Sequence, residues 1–150
     1  MDGIDGLDFI NIYSRGETKI GKWMSNFQKI NIIIDGKNVS SLEGYWYYLL
    51  TGKSYLLRLH GYSAKMHGMK ESRIYEEDDA FREKFIKAID LKIKSNITMF
   101  SEFLNYNINI PLVHFYAKDK GKPIKEHDWF ISHIDKRRKQ FYKKYKNGAT

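Results

Sequence analysis

The chain has 150 residues, with 26 Lys or Arg against 18 Asp or Glu, which gives a formal net charge of +8. Because 42% of the residues are hydrophobic and 15% are aromatic, the chain can build a hydrophobic core, which excludes an intrinsically disordered protein. There is no cysteine, so a disulfide framework, a thiolate zinc site and a cysteine nucleophile are excluded. Together with an acidic first stretch and the lack of a long apolar run, this composition predicts a single cytoplasmic domain over residues 1–150, with no membrane segment.

The positive charge is concentrated at one end of the chain. Residues 135–150 contain seven Lys or Arg and one Asp, a charge of +6, so the residues before them carry only +2 of the total of +8. Such a run is typical of the solvated face of a helix, and also of a surface that contacts phosphate, and the sequence leaves both interpretations open.

The first half of the chain predicts strands followed by helices. Apolar residues that alternate before a turn predict a strand, and Asp35-Gly36 between two apolar runs predicts a hairpin. A helix that ends before Gly52 and further short helices come next. The predicted elements are a strand at 7–13, an extended run at 23–27, hairpin strands at 30–34 and 37–39, a helix at 41–50 and short helices to about residue 69.

The second half predicts mainly helices. Asp78 is a suitable N-cap for a helix to about Lys94, because its apolar residues recur at helical spacing. A short helix is expected at 97–104, a strand from Pro111, and a last helix from Asp128 that turns Phe130, Ile134, Phe141 and Tyr145 inward and its charges outward. The fold class is therefore α+β: a predominantly helical domain with a small sheet formed by the N-terminal strands, the hairpin and one later strand.

One carboxylate, Glu43, lies among aromatic residues at the start of the 41–50 helix. If Ser40 is the N-cap, Glu43 occupies the third helical position and completes a capping box. Alternatively, Glu43 stays ionised at the positive end of the helix and faces a ligand. The two interpretations are compatible.

Several segments resemble, in content and order, the NADAR family, also called YbiA-like. They are I-N-I-Y-S-R (10–15), S-N-F (25–27), I-D-G-K (34–37), S-L-E-G-Y-W (41–46), R-L-H-G-Y-S-A-K-M-H-G (58–68), A-F-R-E-K-F (80–85) and P-L-V-H-F-Y (111–116). The resemblance implies cleavage of an N-glycosidic bond, either between ADP-ribose and guanine, free or in DNA, or in a phosphoribosylamino-pyrimidine of the riboflavin pathway. The chain departs from the family where Gly44 replaces a frequent histidine and Leu50 a frequent lysine, and the W-G-x-G ending of one branch is absent.

The resemblance also implies roles for particular residues. Glu43 stabilises the cationic sugar of the transition state and takes a proton from water, with Asn26 beside it as the second catalytic residue. Without the resemblance, these side chains also fit turn-forming, exposed or core positions. The implied substrate-binding residues are Tyr13, Ser14, Arg15, Tyr45, Trp46, Tyr75, Lys84 and Trp129.

Other catalytic sets are not found in the sequence. The five histidines show no familiar metal-binding spacing, and there is no P-loop, G-x-G-x-x-G or G-x-S-x-G motif. We therefore expect neither a metal nor a cofactor. The alternative function is a non-catalytic protein that binds ADP-ribose or a nucleotide in the same cleft, or nucleic acid through its basic tail.

Overall fold

A computed structural model describes residues 2–146. The fold is α+β and predominantly helical, as the sequence predicts. The described residues divide into two compact units, one made of residues 2–25 and 96–146 and the other of residues 26–95. In chain order the elements are β1 (Ile10–Asn11), α1 (Lys19–Met24), β2 (Ile32–Ile34), β3 (Lys37–Val39), α2 (Leu42–Thr51), α3 (Gly61–Lys70), α4 (Asp79–Ile93), α5 (Ile97–Asn105), β4 (Leu112–Val113) and α6 (Asp128–Lys146).

The first unit contains a parallel pair of short strands, β1 and β4, in which Ile10 is paired with Leu112. Where the strands end, the buried Asn11 side chain continues the pairing. Its amide group donates to the Phe115 carbonyl at 3.0 Å and accepts from the Phe115 amide at 3.1 Å. Both strands are shorter than predicted, because side-chain hydrogen bonds of Asn11 replace the ladder after two residue pairs.

The last helix, α6, packs on α5 in the same unit. The prediction that its charges point outward is confirmed for Lys143, Lys144 and Lys146 and is wrong for Arg138, which is fully buried. Arg138 Nε donates to the Phe103 carbonyl of α5 at 2.7 Å. Tyr145, predicted to point inward, is 40% exposed. Arg138 is buried because its guanidinium group donates to the Phe103 carbonyl, which an apolar side chain could not do.

The second unit begins with the predicted hairpin. β2 and β3 pair antiparallel, with Ile34 opposite Lys37, and Asp35 and Gly36 have φ angles of 50° and 77°. These positive angles are required by a two-residue turn, and Asp and Gly tolerate them. The hairpin and the β1–β4 pair are separate two-stranded sheets, so the prediction of a single small sheet is wrong in this detail.

Helix α2 is the central element of the second unit, since the other two helices of that unit pack against it. On one side Trp46 lies edge-on to Phe81 and Phe85 of α4, with ring centroids 4.8 and 5.0 Å away. On another side Tyr47 packs against α3 at Gly68, where a Cβ atom would overlap the tyrosine ring. Glycine therefore allows the two helices to approach closely.

The remaining element predictions have mixed outcomes. The helix after Asp78 and the short helix near residue 100 are confirmed as α4 and α5, and the short helices before residue 70 as α3 and a 3₁₀ turn at Ser54–Arg58. The extended run predicted at 23–27 is wrong, because Trp23 and Met24 end helix α1, which Thr18 caps by accepting from the Gly21 amide at 2.9 Å. Over residues 2–146, no helix is both long and apolar enough to cross a membrane.

Candidate functional site

The loop at Asn26 and Phe27 lies against the starts of two helices of the second unit. The Asn26 carbonyl accepts from the Glu43 amide of α2 at 2.9 Å, and the Phe27 carbonyl accepts from the Gly61 amide of α3 at 2.9 Å. Amides in the first turn of a helix have no partner within the helix, so these two carbonyls satisfy groups that otherwise need water. The backbone thus brings Asn26 and Glu43, the two predicted catalytic residues, together.

The N-cap of α2 is Ser41, so the prediction of Ser40 is wrong by one residue. Ser41 Oγ accepts from the Gly44 amide at 2.9 Å. Ser40 cannot cap the helix, because its amide donates to Leu57 at 2.8 Å and its carbonyl accepts from Ile30 at 2.9 Å. Glu43 is therefore at the second helical position, and the glutamate side of the predicted capping box is not formed.

The Glu43 side chain is half-buried. Among residues 2–146, no group donates a hydrogen bond to it. Burial raises the pKa of the carboxyl from 4.5 to about 7, and the Lys65 ammonium of α3 opposes this shift. At neutral pH the group is therefore present in both protonation states, whereas the sequence predicted a fully ionised carboxylate. Desolvation outweighs the favourable field at the start of the helix.

The surroundings of Glu43 come from α2 and α3. Tyr47, one turn further along α2, is buried, and the pKa of its hydroxyl is raised by burial and then by the charge of Glu43. Ser41 Oγ donates to the Leu59 carbonyl just before α3, at 2.8 Å, which joins the two helix starts. Glu43 is thus a titratable carboxylate held by backbone contacts, with a half-buried lysine acting on it electrostatically.

Three of the predicted substrate-binding residues, Tyr45, Tyr75 and Lys84, line clefts on the other side of α2. One cleft of about 390 Å³ has Tyr75, Lys84 and Tyr48 in its walls, and one of about 190 Å³ has Tyr45, Tyr48 and Lys84. At about 100° per residue, Tyr45 and Tyr48 point about 140–200° away from Glu43 around the helix. Glu43 lines neither cleft. The structure therefore groups these three residues with one another and away from Glu43.

Trp46 belongs to the core. It is only 9% exposed and its ring contacts Phe81 and Phe85. This packing agrees with the core interpretation of the aromatic residues in α2 and leaves little of the ring to stack on a base.

The other predicted binding residues belong to the first unit: Tyr13, Ser14, Arg15 and Trp129. Tyr13 is half-buried with its ring 5.6 Å from that of Tyr116, and Ser14 and Arg15 are exposed in the turn after it. Trp129 is half-buried in the first turn of α6, with its ring 5.2 Å from Phe130.

The sequence did not indicate Lys65, Tyr48 or Glu76 as site residues, and it indicated Asp78 only as a helix cap. A signal existed for Tyr48, which lies three residues after Tyr45, so that the two rings stack at 6.2 Å. For Lys65 no local signal existed, since its relation to Glu43 depends on how α3 packs on α2.

No protein-family model, no curated protein and no solved structure matches this chain. Within residues 2–146 there is also no cluster of three His, Asp or Glu side chains that could hold a metal ion.

Proposed function

We propose that this protein is an N-glycosidase of the NADAR type, which hydrolyses the bond between a ribose and a nitrogen base. The observation that carries the proposal is the position of Glu43 at the start of α2, where its amide donates to the Asn26 carbonyl and burial raises the pKa of its carboxyl to about 7. A general base works best when its pKa is close to the pH at which it acts. Burial of a carboxylate without a hydrogen-bond donor lowers the stability of the folded state, and such groups are often retained for a function in binding or catalysis.

In the proposed reaction, the C1′–N bond breaks and its electron pair leaves with the base, so positive charge develops on the sugar ring. The ionised Glu43 stabilises that charge and accepts a proton from the attacking water, whose oxygen bonds to C1′. The proton then passes to the departing base, which completes the balance. The half-buried side chain of Asn26 is proposed to orient the water or a ribose hydroxyl beside Glu43.

The preferred substrate is ADP-ribosylated guanine, and the second is a phosphoribosylamino-pyrimidine. The preference for ADP-ribosylated guanine depends on the absence of the W-G-x-G ending, which one branch of the NADAR family has and this chain lacks. The lack of cysteine supports a reducing compartment such as the cytoplasm. Incubation of the protein with each substrate, with release of base or sugar as the measurement, distinguishes the two.

Glu43→Gln is expected to lower turnover by about 100-fold, because the neutral amide neither accepts the proton nor stabilises the cation. Binding of intact substrate should change little. The matched control is Glu83→Gln on the exposed face of α4, which should keep wild-type turnover. Unchanged turnover in the Glu43 variant excludes Glu43 from the mechanism. Substrate binding with no turnover in the wild-type protein favours the alternative of a non-catalytic binder.

The pKa of Glu43 also predicts how stability depends on pH. Between pH 4.5 and 7 the folded state holds more protons than the unfolded state, so this group makes stability fall as pH rises. Glu43→Gln should therefore stabilise the protein by about 2 kcal/mol at pH 8, and by less than about 1 kcal/mol at pH 5, allowing for partial exposure of the carboxylate. Urea unfolding of both proteins at the two pH values measures the difference. A variant that is less stable than wild type at pH 8 contradicts the assignment.

A further inference from the structure

The two clefts on the face of α2 opposite Glu43 form one groove, because they have Tyr48, Leu49 and Lys84 in common. The larger part, about 390 Å³, is within the size range of small-molecule sites in proteins. All of the groove belongs to the unit of residues 26–95. We propose that this groove binds a nucleoside monophosphate whose base carries an exocyclic amino group, with the base in the larger part and the phosphate at Lys84 and Lys37.

The larger part has the composition of a base-binding site. The Tyr75 ring is 60% exposed and forms one wall, and Tyr48 forms another. Leu49 and Phe81 add apolar surface. Exposed aromatic rings stack on nucleobases, and the apolar surface accommodates the faces of a planar ring.

The Tyr75 wall is fixed in position by the backbone. The Leu50 carbonyl at the end of α2 accepts from the amides of both Ile74 and Tyr75, at 2.9 and 3.1 Å. A segment held in this way loses little backbone freedom when a ligand binds beside it.

The larger part of the groove is the more acidic one. Glu76 and Asp78 lie in the larger part, Asp35 and Lys37 lie in the smaller part, and Lys84 lines both. Asp78 Oδ1 accepts from the Phe81 amide at 2.9 Å, which leaves its second oxygen able to accept from a ligand. Carboxylates accept hydrogen bonds from an exocyclic amino group and repel phosphate, so the base fits the acidic end.

Lys84 provides the contact for the phosphate. It is exposed, and among residues 2–146 it takes part in no ion pair. The acidic residue that lines the smaller part, Asp35, already pairs with Lys87 at 3.5 Å. The two lysines of the groove are therefore not neutralised by the groove's own carboxylates, and a phosphate can take that role.

The test is titration calorimetry with AMP, UMP, adenosine and inorganic phosphate. AMP should bind with millimolar or better affinity, and UMP, which lacks the amino group, should bind about tenfold more weakly. Lys84→Ala should lower the affinity for AMP about tenfold and leave the affinity for adenosine unchanged. Tyr75→Ala should lower the affinity for both ligands about tenfold. Lys53→Ala, an exposed lysine of the same unit outside the groove, is the matched control and should bind AMP like wild type. Circular dichroism of each variant checks folding.

Absence of saturable AMP binding overturns the proposal. An equal loss of AMP affinity in the Lys84→Ala and Lys53→Ala variants also overturns it, as does binding of inorganic phosphate that is as tight as binding of AMP. The groove and the glycosidase are tested separately. Glu43→Gln should bind AMP like wild type, because Glu43 lies on the other face of α2. If Glu43→Gln loses turnover while Tyr75→Ala and Lys84→Ala leave AMP binding unchanged, the glycosidase proposal is retained and the groove proposal is rejected. If Glu43→Gln keeps turnover while Tyr75→Ala and Lys84→Ala weaken AMP binding, the groove proposal is retained and the glycosidase proposal is rejected.

Discussion

Lys92→Met is expected to stabilise the protein by about 3 kcal/mol at pH 7. Lys92 is fully buried in α4, and burial lowers the pKa of its ammonium from 10.5 to about 7. Below pH 7 the folded state must hold the charged form away from water. Methionine has a similar length and flexibility and carries no charge, so it removes that cost. Loss of the contacts that Lys92 makes in the folded state offsets part of the gain.

The expected pH dependence makes the cause of this effect testable. Between pH 7 and 10.5 the unfolded state binds more protons at Lys92 than the folded state, so wild-type stability rises with pH over this range. The advantage of the methionine variant should therefore shrink to less than about 1 kcal/mol near pH 10. Urea unfolding at several pH values measures it. Lys87→Met on the exposed part of the same helix is the control, expected to change stability by less than about 1 kcal/mol. A pH-independent difference, or a less stable Lys92 variant, contradicts the argument.

Gly44→Ala is expected to destabilise the protein by about 3 kcal/mol. Alanine usually stabilises a helix relative to glycine by about 1 kcal/mol, so the expected sign is the opposite of the propensity effect. The reason is local. A Cβ atom at residue 44 would overlap the Leu56 carbonyl oxygen and lie 3.1 Å from the Leu59 carbonyl oxygen. Both obstacles are backbone atoms, which cannot rotate out of the way.

The control for this prediction is Gly36→Asn in the hairpin turn. Gly36 has a φ of 77°, which asparagine tolerates, and no atom lies within 4 Å of a Cβ built there. Gly36→Asn should therefore lower the free energy of unfolding by less than about 1 kcal/mol. The comparison separates the effect of losing a glycine from the effect of a steric clash. Thermal and urea unfolding of both variants provides the comparison. A Gly44→Ala protein as stable as wild type would show that the 54–59 segment can move away from α2.

The same contact bears on one difference between this chain and the NADAR motif that it resembles, which often has histidine at the position of Gly44. A side chain at residue 44 would meet the carbonyls of Leu56 and Leu59. Glycine at residue 44 and the close approach of the segment between α2 and α3 therefore belong together.

The sequence predicted most of the helices because their signals are local. Asp78 as a cap, Gly52 as a helix end and the Asp35-Gly36 turn each act within four residues of the chain. It failed where long-range contacts decide the outcome. Ser40 is excluded as a cap by hydrogen bonds to Ile30 and Leu57. Arg138 is buried because its Nε reaches the Phe103 carbonyl, which lies 35 residues away in the chain.

The candidate site was predictable in its residue types and not in its geometry. The motif resemblance placed Glu43 and Asn26 together, and the structure links their backbones. It gave no indication that Tyr75 and Lys84 lie against the side of α2 facing away from Glu43, because the path of residues 71–78 depends on hydrogen bonds to Leu50. The protonation state of Glu43 was also beyond sequence reasoning, since burial cannot be read from neighbours in the chain.

The parallel pairing of β1 with β4 joins residues about one hundred positions apart, Ile10 with Leu112. During synthesis from the N-terminus, β1 has no partner strand until residues 112 and 113 have emerged from the ribosome. The segment from 26 to 95 has no such delay, because its strands and helices pair with neighbours inside the same stretch. We therefore expect that segment to gain protection from amide exchange on nascent chains stalled after residue 95 has emerged, well before the strand at residue 10 does.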